Sequence, residues 1–115
     1  MTQRDVAVYL ADIAVACELI ESFVAGRTQQ DYGRDAQLRS AVERQFEIVG
    51  EALNQALKLD PSLCDRIRDA RRVVSFRNRL AHGYFAVSNE LSWAAVLKVP
   101  RLRAQVEANR SELGN

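Results

Sequence analysis

The chain holds a single histidine, His82, within the stretch RNRLAHGYF, residues 77 to 85. Arg77 precedes it by five positions and Asn78 by four, and Tyr84 follows by two. Histidine titrates near neutral pH and can act as base or acid. Arginine presents a planar, permanently charged fork to phosphate oxygens. Brought to one point, these side chains suit cleavage of RNA through its own 2′-hydroxyl. That reaction needs a base for the hydroxyl, an acid for the leaving 5′-oxygen, and positive charge on a phosphorane-like transition state. It needs no metal, and the sequence offers no ligand set for one: Glu47 and Glu51, at helical spacing, have no histidine cluster beside them and read as a solvated or dimer-facing pair. No cofactor is implied. A glycine-rich phosphate loop, a nucleophile elbow and a cysteine close to His82 in sequence are all absent. The same stretch also fits a structural role, a helix C-terminus in which His82 caps carbonyls, Gly83 ends the helix and Phe85 packs inward. The residues by themselves leave both roles open.

Helical spacing constrains how the chemistry can assemble. Asn78 and His82, four apart, share a face, so the amide can orient the imidazole. Arg77 and Tyr84, seven apart, nearly align. Arg77 and His82, five apart, point about 140° away from each other on a regular helix. Their meeting requires the reach of the arginine, a distortion near Gly83, or a second copy of the chain; in a two-fold dimer, two equivalent stretches can face each other.

The elements that must position this stretch are helical. Val6, Leu10, Ile13, Cys17, Ile20 and Val24 repeat with the alternating spacing of a helix seam, which stops at Gly26. RTQQDYGR is polar and reads as a loop. Asp35 is placed to cap a second long helix with Leu38, Val42, Phe46, Val49, Leu53 and Leu57 on its inner face. Gly50 interrupts that helix at a cost of about 1 kcal/mol against alanine, which points to close approach of a neighbouring element. Asp60 and Pro61 open a short helix with Leu63 and Ile67. Val73, Phe76 and Leu80 stripe the next helix, which leads into the histidine. Ser88 or Asn89 caps a helix with Leu91, Trp93 and Val96, and Pro100 is expected to break or kink it before Leu102, Val106, Asn109 and Leu113. The pattern predicts an all-α, up-and-down bundle of four main helices plus a short one, in one domain spanning 1–115, that self-associates as a two-fold homodimer.

Composition narrows the setting. Hydrophobic residues make up 48% and charged residues 27%, as in ordinary globular proteins. No apolar run approaches a membrane span, and MTQRDVAVYL lacks the features of a signal peptide, so a cytoplasmic protein is expected. Cys17 and Cys64 sit among apolar positions without metal-ligand spacing and read as two buried free thiols. A net charge of +1 argues against a globally basic nucleic-acid binder. Locally, residues 65 to 79 carry six arginines against Asp65 and Asp69, whereas residues 1 to 35 carry three basic residues against six acids. Such a stripe is either a solvated helix face or a phosphate-holding track.

RNRLAHGYF resembles the motif of HepT-like toxins in the HEPN superfamily: an arginine, a polar residue, then a histidine, here Arg77, Asn78 and His82, extended by His82-Gly83-Tyr84. AVERQFEIVGEAL (41 to 53) resembles the family's second-helix segment with its Gly-Glu-Ala, and ELSWAAVLKVPRLRAQVE resembles its closing tryptophan and proline-leucine stretch. One departure is Ile67-Arg68 where many relatives carry isoleucine-proline. The resemblance implies a HEPN-like homodimer whose two motifs line a shared cleft. It also implies the toxin of a type VII (HEPN/MNT) toxin–antitoxin system, a metal-independent endoribonuclease with Arg77 and His82 catalytic and Asn78 orienting. Its partner would be an MNT-domain (MntA-like) nucleotidyltransferase antitoxin that neutralises it by transferring AMP to Tyr84, where a bulky anion would fill the cleft and repel substrate phosphate. Arg71, Arg72 and Arg79 then become a candidate RNA track, or a surface for the antitoxin. The alternative is a non-catalytic HEPN module that docks onto and regulates a nucleotidyltransferase; a plain helical dimerisation domain is a third reading.

Overall fold

The computed structural model of the protein describes residues 3–82 and 87–114, and these form six helices and no strand. They are α1 (Gln3–Val24), α2 (Gln29–Arg34), α3 (Ala36–Leu59), α4 (Leu63–Arg66), α5 (Ala70–His82) and α6 (Asn89–Gly114). The all-α bundle predicted from periodicity is present. Its apolar seams become the core: Val6, Leu10, Ile13, Cys17 and Ile20 of α1 are buried, as are Leu38, Val42, Phe46, Val49 and Leu53 of α3. Gly26, at φ 72°, turns the chain out of α1 in the left-handed conformation that glycine adopts without a Cβ clash. Asp35 caps α3 as expected, its carboxylate accepting the Leu38 N–H at 3.0 Å.

Three expectations need correction. The polar stretch after α1 is a helix, α2, rather than a loop. Thr28 and Asp31 cap it reciprocally: the Thr28 hydroxyl accepts the Asp31 N–H at 3.1 Å, and the Asp31 carboxylate accepts the Thr28 N–H at 2.9 Å. Its one buried residue, Tyr32, stacks near Trp93 with ring centroids 5.7 Å apart. A single anchor gives no periodicity to read. The bundle therefore has two short helices beside its four main ones. Pro100 does not break α6, which runs unbroken from Asn89 to Gly114. Proline removes one hydrogen bond, but its ring lies on the exposed side while Val96, Val99, Leu102 and Val106 bury the other face. Of the two free cysteines, Cys17 is buried but Cys64 is only half-buried.

In the packing, α1 lies against α3 and α6, and α5 lies against α3. The α4–α5 turn is tied to α6 by Arg66, whose Nε donates to Asn109 Oδ1 at 2.8 Å, by the Arg68 N–H to Gln105 Oε1 at 3.1 Å, and by an Arg101–Asp69 ion pair. Beyond that tether, α5 and α6 diverge and leave a cleft between them. No described helix is long and apolar enough to cross a membrane.

Candidate active site

Helix α5 starts immediately after the buried Asp69, whose carbonyl accepts the Val73 N–H at 2.9 Å, and runs without interruption to His82. Phe76 anchors its inner face edge-on against Phe46 of α3, centroids 5.1 Å apart. Arg77 leaves the same helix toward α3. One guanidinium nitrogen donates to the Glu51 carboxylate and the other to Asn78 Oδ1 at 2.9 Å. The Arg77 side chain is 26% exposed and that of Glu51 57%.

The space for the arginine comes from Gly50. A Cβ built on that glycine would overlap the Arg77 Cβ and stand 2.6 Å from its Cγ. The close approach expected at Gly50 is real, and the element that approaches is the stem of Arg77. Gly50, Glu51 and Arg77 thus form one unit: the glycine admits the stem and the adjacent glutamate holds the head. Glu51 read from sequence as a solvated or dimer-facing partner of Glu47; the structure pairs it with Arg77. The available signal was its place next to Gly50, since a residue beside a helix–helix contact is close to whatever makes that contact.

Around Arg77 opens a shallow cleft of about 320 Å³, lined by Tyr9 and Asp12 of α1, Arg44, Glu47 and Glu51 of α3, and Ala81. His82 is exposed at the last turn of α5, where Arg79 and His82 place basic side chains by the helix C-terminus, the end that favours positive charge. Because α5 stays helical through His82, the divergence of about 140° between Arg77 and His82 is kept within one copy. Asn78 is half-buried, and its amide oxygen serves Arg77. Tyr84 lies outside the described residues.

The arginine stripe separates into roles. Arg66 is committed to Asp60 at 2.9 Å and to Asn109. Arg71, Arg72 and Arg79 are exposed along α5 and line the α5–α6 cleft, which Lys98 of α6 also lines. No group of three or more His, Cys, Asp or Glu among the described residues is arranged to hold a metal ion.

The family pattern named "Ribonuclease HepT-like" matches residues 13–108, a span that contains α3, α5 and the whole Arg77–His82 motif. The chain belongs to the HepT-like ribonuclease family. It is 35% identical over 107 residues to the "Probable ribonuclease HepT" of Thermococcus cleftensis, covering 89% of this chain and 93% of that protein. It is 31% identical over 100 residues to a "Putative RNase" of Caldanaerobacter subterraneus, covering 86% and 88%. No solved structure matches the chain significantly. Within this HepT-like chain, the Gly50-Glu51-Ala52 segment has a physical role: it is where α3 receives Arg77.

Proposed function

We propose that this HepT-like chain, as a single domain over 1–115, is a metal-independent endoribonuclease acting as a two-fold dimer. The observation that carries the reading is the Arg77 guanidinium, half-buried, held by Glu51 and Asn78, and five residues from an exposed histidine on one continuous helix. A guanidinium so placed is pre-oriented for a phosphate. In the reaction, the 2′-oxygen of RNA attacks the adjacent phosphorus and the P–O5′ bond breaks. The 2′-hydroxyl proton passes to a base and the departing 5′-oxygen receives one from an acid. His82 fills either proton role and Arg77 neutralises the phosphorane. The products are a 2′,3′-cyclic phosphate and a 5′-hydroxyl.

The divergence of Arg77 and His82 supports the dimer. A second copy can bring its His82 to the Arg77 cleft. Helix α1 offers a surface beside that cleft: Val8, Val15 and Leu19, exposed to 54%, 58% and 38%, share a face with Asp12, which lines the cleft. The biological setting that fits is a cytoplasmic toxin of a type VII toxin–antitoxin pair. A nucleotidyltransferase antitoxin would join AMP from ATP to the Tyr84 oxygen, with release of pyrophosphate, two residues from the catalytic histidine.

The test is cleavage of RNA in the presence of chelator. General acid–base help is typically worth about 10²–10⁴ in rate, so His82→Ala and Arg77→Ala should each lose activity on that scale while remaining folded. Tyr84→Phe should keep most cleavage yet escape neutralisation by partner and ATP, and mass spectrometry should place AMP on the Tyr84 peptide of the wild type. Cleavage that persists in His82→Ala, or that stops with chelator, removes the assignment.

A further inference from the structure

The cleft between α5 and α6 encloses about 490 Å³, within the range of roughly 300–1,000 Å³ typical of small-ligand sites. Its floor is apolar: Phe76, Phe46 and Val73 on one side, Val99 and Leu102 on the other. Its lip is cationic, with exposed Arg72 and Arg79 on α5 and Lys98 on α6. The acid among its lining residues, Asp69, is already taken by Arg101. An apolar slot rimmed by cations is complementary to a flat, apolar body that carries negative charge at its edge. Arg72 and Arg79 are two turns apart on one side of α5, and Arg79 is a single turn before His82.

From these features we infer that the α5–α6 cleft is a nucleotide subsite, taking one unstacked base of single-stranded RNA on its apolar floor with the flanking phosphates on Arg72, Arg79 and Lys98. This deepens the ribonuclease reading and rests on it for the identity of the strand. Stacking of bases on aromatic and apolar walls with backbone phosphates on cations is the general mode of single-strand binding. A phosphate at Arg79 has His82 as its neighbour along the helix, so the base in the cleft lies next to the scissile position. A protein helix is a poorer fit, since it is about 10 Å across with its side chains and needs a longer apolar trough. The cleft therefore supplies base preference, a property the Arg77–His82 pair by itself lacks.

The experiment uses the full chain and a 2′-O-methyl oligoribonucleotide, which cannot be cut, with an abasic strand of equal charge as control. Ala94 lines the cleft from an exposed position on α6, so Ala94→Trp fills the slot without entering the core. Ala94→Trp should weaken the 2′-O-methyl strand about tenfold by fluorescence anisotropy and leave the abasic strand unaffected. Arg72→Glu with Lys98→Glu, both exposed, should weaken both strands and serves if the tryptophan variant is unfolded. Amide resonances of Val73 and Ala95 should shift with the oligonucleotide and not with inorganic phosphate. Unchanged affinity in folded Ala94→Trp overturns the subsite, as does an equal loss for both strands. A cleft that turns out to bind a second copy, with Ala94→Trp monomeric by light scattering, overturns it too. Cleavage is measured in parallel: wild-type cleavage with unchanged KM in Ala94→Trp removes the subsite and spares the ribonuclease reading. Binding in the cleft by a wild type that cuts no RNA does the reverse.

Discussion

At the residue scale, Arg77 depends on groups that its own motif does not contain. Asn78 is the next residue, but Glu51 is 26 positions away and arrives through packing of α3 on α5. Glu51 is more than half exposed, so its pair with Arg77 contributes less than about 1 kcal/mol to stability. Its effect on Arg77 position is separable from that. Glu51→Gln should leave urea unfolding nearly unchanged and lower kcat/KM about tenfold, a loss equal to one neutralised charge-assisted contact, with partial recovery in Glu51→Asp. Full activity in Glu51→Gln would show that Arg77 meets RNA without this carboxylate. Cys17 makes a second residue-scale case. Burial, helped by the Glu21 charge, pushes its thiol from 9.0 up to about 12. At pH 8 it should resist a thiol reagent in the folded protein and react only in denaturant, whereas half-buried Cys64 should react in the native state. Above about pH 9 the unfolded chain releases this proton and the folded chain retains it, so the Cys17 contribution to stability falls as pH rises.

At the element scale, the α3–α5 contact is built around an absence of side chain. Alanine at position 50 gains about 1 kcal/mol of helix propensity, but its Cβ would overlap the Arg77 stem. Overpacking typically costs about 1–3 kcal/mol, and the overlap lies at the backbone end of Arg77, where there is little freedom to move. Gly50→Ala should therefore destabilise the fold by about 1–2 kcal/mol in urea titrations and reduce cleavage together with stability. A more stable Gly50→Ala would mean that α5 slides without penalty. The long helices were legible because each buries a continuous stripe. Helix α2 was not, because a capping box and one buried tyrosine carry it. The passage of α6 through Pro100 was not legible either, since it depends on which side of the helix the ring occupies.

At the scale of the whole molecule, the described residues extend 43 × 31 × 20 Å, and one copy presents Arg77 and His82 in different directions. If each site takes Arg77 from one copy and His82 from the other, two inactive variants should complement. Equal mixing of Arg77→Ala with His82→Ala, under conditions that exchange subunits, should restore about a quarter of wild-type cleavage, because half the dimers would carry one intact site of two. Light scattering should report a dimer at micromolar concentration. A strict monomer, or no recovery on mixing, would place the chemistry within one chain.

The sequence by itself determined the helical class, the core stripes, the Asp35 cap, the site-bearing stretch and the family it resembles. Each of these is local or periodic, readable from spacing along one chain. Tertiary structure decided what no spacing encodes: that Glu51 holds Arg77, that Gly50 exists for the Arg77 stem, that Arg66 is structural while Arg72 and Arg79 are exposed, and that α5 and α6 diverge into a cleft. Those are pairings between helices far apart in sequence, fixed only when the apolar seams of α1, α3 and α6 are buried together and the polar groups between them must find partners.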